Sequence, residues 1–425
     1  MQIAKLKNIF KVQHAIKVPS VVHELQVDIG ALKIYRFVNK RAYACILAPW
    51  YEDTTFAPGD GYIQRIRDID DNIFKNRVRL YIYNSPYWTT NKLGFYSNLE
   101  EDYCYIIYND SIGRHVTIVT KLLEKANICY IHSIYRLMPS IPSENAYWTI
   151  SRFNRFMRHS IVDLHGIGSE EMKMYMRPQT EIDNAESIER YVAENAKYCI
   201  GVTNRMREVM EEKYAVQLQN YLVMPIGLLA EETQSQVRKH ENQDSIAIVY
   251  SGGLQKWQRI EDMLDAVEKS TVNANYWFCI NDTDEFEQLL SQKCFSKKIQ
   301  YGHKTSKELK YILSQSDYGF LIRDDNPVNQ VACPTKLIEY LYYGIVPILE
   351  TVNIGDFANM GLKYVSLQDY VSGIMPESTV QTEMANSNFR IFQQLVKQRQ
   401  VALREIKRIV ALSYERKVGE MNNDI

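Results

Sequence analysis

The residues best suited to chemistry lie between Cys333 and Ile348, where Thr335, Lys336 and Glu339 follow Pro334 and precede Gly344. Pro334 suits the first turn of a helix, where a missing N–H costs nothing, and Gly344 suits the left-handed residue that ends one. Leu337, Ile338 and Leu341 can then face a core. Thr335, Lys336 and Glu339 fall near the N-terminal end, where free N–H groups and the helix dipole attract anions. Lys336 adds a formal positive charge. Glu339 stands about 4.5 Å further along the axis, within reach of a ribose attached to a phosphate held at the helix start. The chemistry this spacing serves is the binding of a nucleoside diphosphate without a metal. An ordinary capped helix carries the same residue types, so the rest of the chain has to decide.

Several other constellations can contribute. Ser251-Gly252-Gly253-Leu254-Gln255-Lys256 follows an apolar run and precedes a helical pattern from Ile260. Two glycines after a strand let backbone approach a phosphate, and Lys256 can add charge; a tight connecting turn would look the same. Pro58-Gly59-Asp60-Gly61-Tyr62 opens the helical pattern Ile63 to Ile73, with Arg65 one turn inside. His165 and His132 each end an apolar run, and a histidine at a strand's carboxyl end can exchange a proton or a hydrogen bond in a cleft. Asp68-Ile69-Asp70 and Asp282-Thr283-Asp284 spell the D-x-D pattern used to hold a divalent ion. The first lies in a helical pattern, where i and i+2 do not share a face. Both are read as solvated acidic turns, and no His/Cys/Asp spacing suggests zinc. No metal and no cofactor are expected.

Pro334-Thr335-Lys336-Leu337-Ile338-Glu339-Tyr340-Leu341, followed by Gly344 and Pro347, resembles the donor-site signature of GT-B glycosyltransferases of the retaining, family-four type. The resemblance implies an α/β fold of two Rossmann-like domains facing a central cleft. It implies that Glu339 binds the ribose of a nucleotide sugar and that Gly252 and Gly253 grip its pyrophosphate opposite the Lys336 helix. The family's basic residue aligns with Gln258, so Lys256 or Arg259 has to substitute. The family's second glutamate, eight residues before Glu339, is Val331 here. Either the loop Asp324-Asp325-Asn326 takes its place or the donor sugar is recognised differently. The glycine-rich position of the first domain falls on Gly59, Asp60, Gly61 and Tyr62, on the acceptor side with Arg65. His132 and His165 match histidines near the donor sugar and phosphate, which makes them, with Lys336, the candidate catalytic residues.

The elements that must position these residues alternate. Strands are predicted at Tyr43–Leu47, Arg79–Tyr83, Tyr103–Tyr108, Ile128–His132, Ile161–Leu164, Tyr198–Val202 and Tyr221–Met224, with helices at Val116–Lys125 and Ala185–Lys197. A second set comprises Ile246–Tyr250, Ile260–Val267, Asn275–Ile280, Lys307–Ser314, Tyr318–Ile322, Pro334–Tyr343 and Val346–Leu349. Such alternation is the pattern of parallel sheets covered by helices. The divisions expected are an acceptor-binding domain over 1–229, a polar linker over 230–244 and a donor-binding domain over 245–388. The tail 389–425, a long helix at Phe389 to Val410, is expected to cross back to the first domain. The opening 40 residues show only hairpin-like alternation.

Composition excludes other classes. A 425-residue chain with 46% hydrophobic residues supports two cores. A net charge of −1 argues against nucleic acid as a partner. Seven scattered cysteines, never spaced C-x-x-C, point to reduced thiols, and no apolar run is long enough to span a bilayer. A cytoplasmic enzyme is expected, working at the inner face of the cell membrane where its acceptor is lipid-linked. Arg152, Arg155 and Arg158 beside Phe153, Phe156 and Met157 can form a peripheral membrane contact, or the charged outer face of an ordinary helix. The expected function is a hexosyltransferase-like transfer from a nucleoside diphosphate sugar to a glycan or lipid-linked acceptor, retaining and metal-independent. The alternatives are a nucleotide-sugar 2-epimerase and a catalytically silent, glycosyltransferase-like binding module.

Overall fold

A computed structural model describes residues 29–50, 61–85, 90–139, 148–226 and 245–422, with side chains to 415. Gly59, Asp60 and the predicted linker over 230–244 lie outside the described residues. The chain divides into two compact units. The first takes in Met1–Ile200, Tyr214–Leu222 and Leu403–Ile425, and the second Gly201–Lys213 and Val223–Ala402.

The first sheet holds β1 (Ala44–Leu47), β2 (Arg79–Asn84), β3 (Gly94–Asn98), β4 (Tyr103–Tyr108), β5 (Ile128–His132), β6 (Ser160–Leu164), β7 (Tyr198–Gly201) and β8 (Tyr221–Val223), in the order β3-β4-β2-β1-β5-β6-β7-β8. β1 runs parallel to β2 and β5, β4 to β2, and β6 to β5, whereas β3 is antiparallel to β4. Every residue of β1, β5 and β6 is buried, which is why these strands read as continuous apolar runs rather than alternating ones. The chain leaves β1 toward β2 on one side, and β5 returns to the other. The carboxyl ends of β1 and β5 therefore flank a topological switch point, where open α/β sheets bind ligands.

The second sheet holds β9 (Ile246–Ser251), β10 (Ala274–Cys279), β11 (Gln300–Gly302), β12 (Tyr318–Phe320), β13 (Val346–Leu349) and β14 (Val365–Ser366), in the order β11-β10-β9-β12-β13-β14. All five pairings are parallel. Counted from β9, this is the 3-2-1-4-5-6 order of a dinucleotide-binding sheet, with its switch point between β9 and β12. Tyr250, Phe278, Phe286, Phe320 and Tyr370 form the aromatic centre of its core. The helix Thr335–Tyr343 follows β12 and ends at Gly344, whose φ of 72° is the left-handed cap expected of it. Pro334 precedes the helix at its N-cap rather than sitting in its first turn.

Four expectations need correction. Residues Ile29–Val38, in the stretch read as no more than hairpin-like alternation, form a helix, and residues 1–28 lie outside the described residues. Asp70 is no solvated turn: it is fully buried, and its carboxylate accepts two bonds from Arg79 at 2.7 and 2.9 Å and one from the Tyr81 hydroxyl at 2.6 Å. The segment after Trp148 is no continuous helix. It breaks into Ile150–Phe153 and a 3-10 turn at Met157–His159, and Phe153, Phe156 and Met157 are buried. Phe156 stacks on Trp148 and Phe153 meets it edge-on, so these three residues present no exposed apolar stripe. Finally, the terminal helix runs over Ser378–Asn422, longer than the pattern predicts, with the boundary between the units falling inside it at Ala402/Leu403. Within the first unit its end docks through Asn127 Nδ2 on the Ser413 carbonyl and through the Tyr414 hydroxyl on the Val78 carbonyl.

Candidate functional site

In the second unit the switch point gathers Gly252, Lys336, Gln258 and Tyr250. Lys336, second residue of its helix, is 8% exposed. Its ammonium donates to Gln258 Oε1 at 3.2 Å and lies 3.8 Å from the centroid of the Tyr250 ring. A Cβ added at Gly252 would stand 2.8 Å from Lys336 Nζ and 3.0 Å from the Tyr250 hydroxyl, so only glycine lets the lysine tip reach the turn after β9. The helix is fastened by the Tyr340 hydroxyl, which donates to the Phe320 carbonyl of β12 at 3.1 Å.

The electrostatics of this corner favour an anion. Burial, then the nearby Arg323, hold the Lys336 ammonium well below its ordinary range, with Glu339 opposing both. Burial pushes the Glu339 carboxyl up, and Lys336 opposes that. A lysine whose protonated form is disfavoured by burial and by Arg323 thus stands at a glycine turn beside a helix N-terminus, where an anion would favour its ammonium form. Glu339 lies three residues along the same helix.

The other residues predicted for this unit fall at different distances from that corner. Gly253 accepts the Tyr250 hydroxyl at 2.6 Å through its carbonyl. Lys256 is exposed on a 3-10 turn and makes no ion pair with a described residue. Arg259 pairs with Asp262, Asp324 and Glu350. Asp325 accepts from Gln330 and Asn353, and the Asn326 side chain caps the turn Pro327–Gln330. Val331 is buried, its carbonyl accepting the Thr203 hydroxyl at 2.8 Å. Sequence reasoning missed Arg323, three residues past β12, and Tyr250, the next-to-last residue of β9. Gln258 was passed over in the search for a basic side chain.

In the first unit the structure brings Tyr62, Arg65, His132 and His165 together around Asp163, which the sequence reading overlooked. Asp163 pairs with His132 across β5 and β6, and His165 follows β6 directly. Arg65 donates to both Asp163 oxygens at 2.9 and 3.0 Å, and the Tyr130 hydroxyl donates to one of them at 2.9 Å. Burial pushes Asp163 up, but Arg65 and His165 outweigh it and hold the carboxyl well below the usual range. His132 is fully buried with neither ring nitrogen hydrogen-bonded to a described residue, and burial holds its pKa well below the ordinary imidazole value. His165 lies 3.6 Å from Asp163 and His132 3.7 Å, both beyond hydrogen-bond reach. The Tyr62 ring lies 5.2 Å from that of His165. Two histidines and a carboxylate whose ligand atoms lie within 4.8 Å of one another form a possible metal donor set. Both Asp163 oxygens, however, already bind a buried guanidinium, which a cation would have to displace. The cluster suits orienting a polar substrate group better than holding an ion.

No family model matches the chain, and no curated protein is significantly similar to it. Solved structures do match in shape. HepE of Anabaena, in complex with UDP and glucose, is 10% identical with a TM-score of 0.58, over 88% of this chain and 100% of that one. WaaG, a glycosyltransferase involved in lipopolysaccharide biosynthesis, is 10% identical with a TM-score of 0.56, over 86% and 99%. The lipopolysaccharide outer core galactosyltransferase WaaB is 12% identical with a TM-score of 0.52, over 83% and 99%. With two largely parallel sheets, each with a switch point at strand carboxyl ends, and these neighbours in shape, the chain has the α/β fold of GT-B glycosyltransferases.

Proposed function

We propose that this chain is a retaining, metal-independent glycosyltransferase of hexosyltransferase type, moving a sugar from a nucleoside diphosphate sugar to a glycan or lipid-linked acceptor. The observation that carries the reading is the contact of Lys336 with Gly252 at the second sheet's switch point, with Arg323 beside it and Glu339 one turn on. When the bond from anomeric carbon to phosphate oxygen breaks, negative charge grows on the departing diphosphate. Backbone N–H groups already in place stabilise that charge without reorganising, and its growth favours the ammonium form of Lys336. Glu339 would hold the ribose. HepE, of the same fold, is known in complex with UDP and with UDP-glucose.

The test combines binding and turnover. Glu339→Gln keeps the shape and removes the charge that accepts ribose hydroxyls. Hydrogen bonds to charged groups contribute about 1.5–3 kcal/mol, so nucleoside diphosphate affinity should fall by roughly ten- to hundredfold with the fold intact. Calorimetry that finds unchanged affinity removes Glu339 from the site. Transfer or slow hydrolysis of the donor should persist in EDTA, and NMR of the product should show the donor's anomeric configuration kept. An epimerised donor formed without acceptor would replace the reading with 2-epimerisation.

A further inference from the structure

A pocket of about 1070 Å³ opens wholly within the first unit. It is walled by the carboxyl-end residues of three strands, Leu47 of β1, Asn84 of β2 and Tyr108 of β4. Two lining side chains are chemically unfinished. Trp148 is 2% exposed, and its indole N–H, a donor only, is buried with no acceptor among the described residues. Arg136 is half-buried, its guanidinium 5.8 Å from the centroid of the Tyr62 ring and 5.6 Å from that of Tyr83. It has no carboxylate partner among the described residues, and its Nε is buried without an acceptor. Other arginines of this unit are bound in forked fashion, Arg65 to Asp163, Arg79 to Asp70 and, in the same pocket wall, Arg177 to Glu181.

The backbone supports a purpose for this placement. Arg136 closes the 3-10 turn Ile134–Arg136, which is entered through Ser133 at φ 68° and ψ 149°. That region is populated almost only by glycine, and a non-glycine residue there stores strain. The strained residue follows β5 at the first sheet's switch point and sets where the turn, and with it Arg136, is held. A guanidinium beside two tyrosine rings and without a carboxylate among the described residues keeps its donor fork for a planar or tetrahedral oxyanion.

We infer that this pocket binds an anionic sugar, a glycosyl unit whose phosphate or carboxylate is gripped by Arg136 while its hydroxyls and ring meet Trp148 and Tyr108. Naming that sugar the acceptor rests on the proposed function; its binding does not.

The experiment titrates glucose 6-phosphate, glucuronate and neutral glucose into the whole chain and follows the Trp148 indole N–H resonance, assigned by its loss in Trp148→Phe. Both anionic sugars, or one of them, should shift that resonance and bind at least tenfold more tightly than glucose. Arg136→Gln should weaken the anionic sugar by about ten- to hundredfold and leave glucose and UDP affinity unchanged. Arg136→Lys, which keeps the charge without the fork, should fall between and guards against a folding defect in the glutamine variant. A preference for the phosphate over the carboxylate, or the reverse, identifies the oxyanion. The inference is overturned if glucose binds as well as the anions, if no sugar shifts the Trp148 signal, or if Arg136→Gln binds the anions like wild type. If anionic sugars bind through Arg136 but no nucleotide sugar is bound or turned over, the glycosyl-transfer reading falls and the pocket stands. Donor turnover without anion binding has the opposite consequence.

Discussion

A buried lysine is costly unless something justifies it, and Lys336 shows how one residue can tie ligand binding to protonation. Burial and Arg323 hold its pKa well below the ordinary lysine value, so the folded protein refuses a proton that the unfolded chain accepts. A group depressed in this way contributes stability that is present above its unfolded pKa and is lost as pH falls through its folded pKa. A diphosphate at Gly252 reverses the balance, because a nearby anion favours the ammonium form. Between the depressed and ordinary lysine pKa, nucleoside diphosphate binding should therefore take up a proton. Calorimetry of UDP binding in two buffers of different ionisation enthalpy reads this directly. The apparent enthalpy should differ between buffers for wild type and agree for Lys336→Met, whose residual binding should also be weaker. Equal enthalpies for wild type at several pH values would mean that Lys336 does not meet the phosphate.

At the scale of elements, the donor corner was legible because its signals are local. A proline, a lysine, a glutamate and a glycine at fixed offsets announced the helix Thr335–Tyr343, and the apolar runs of β4, β5 and β13 appear at the predicted residues. What stayed hidden needed partners distant in sequence. Asp163 reads as one acid in a strand until Arg65, 98 residues away, closes on it. Asp70 looks like half of a metal motif until Arg79 claims it. The short, half-exposed β3 and the broken segment after Trp148 lack the run lengths on which periodicity depends. The Asp163 cluster also has a measurable acid signature. His132, held neutral by burial, loses its stabilising contribution as pH falls below the unfolded imidazole value of about 6.5, because the unfolded chain then gains a proton that the native site refuses. One such proton contributes at most about 1.4 kcal/mol per pH unit. Denaturant unfolding at pH 7 and pH 5.5 should show a smaller loss of stability in His132→Asn than in wild type. Identical losses would mean that His132 titrates normally and that the site is wetter than its geometry implies.

For the whole molecule, each sheet has its own switch point and its own unsatisfied chemistry, a buried lysine at a glycine turn in one unit and a buried polar cluster in the other. A net charge of −1 leaves no general attraction to polyanions, so any nucleotide bound is bound by local geometry. Ligands of the two units should then protect different segments. A ligand at 100 times its dissociation constant stabilises the bound form by about 2.7 kcal/mol, which slows amide exchange through local openings that release it by roughly a hundredfold. Hydrogen exchange with saturating UDP should show its largest slowing in peptides covering Ser251 to Gln258 and Thr335 to Tyr340. Peptides covering His132 to Leu137 and Leu164 to Gly168 should change less. Lys336→Met should erase the first effect at the same UDP concentration. Protection confined to the His132 and Leu164 peptides would place the nucleotide in the first unit and overturn the assignment of the donor to β9 and β12.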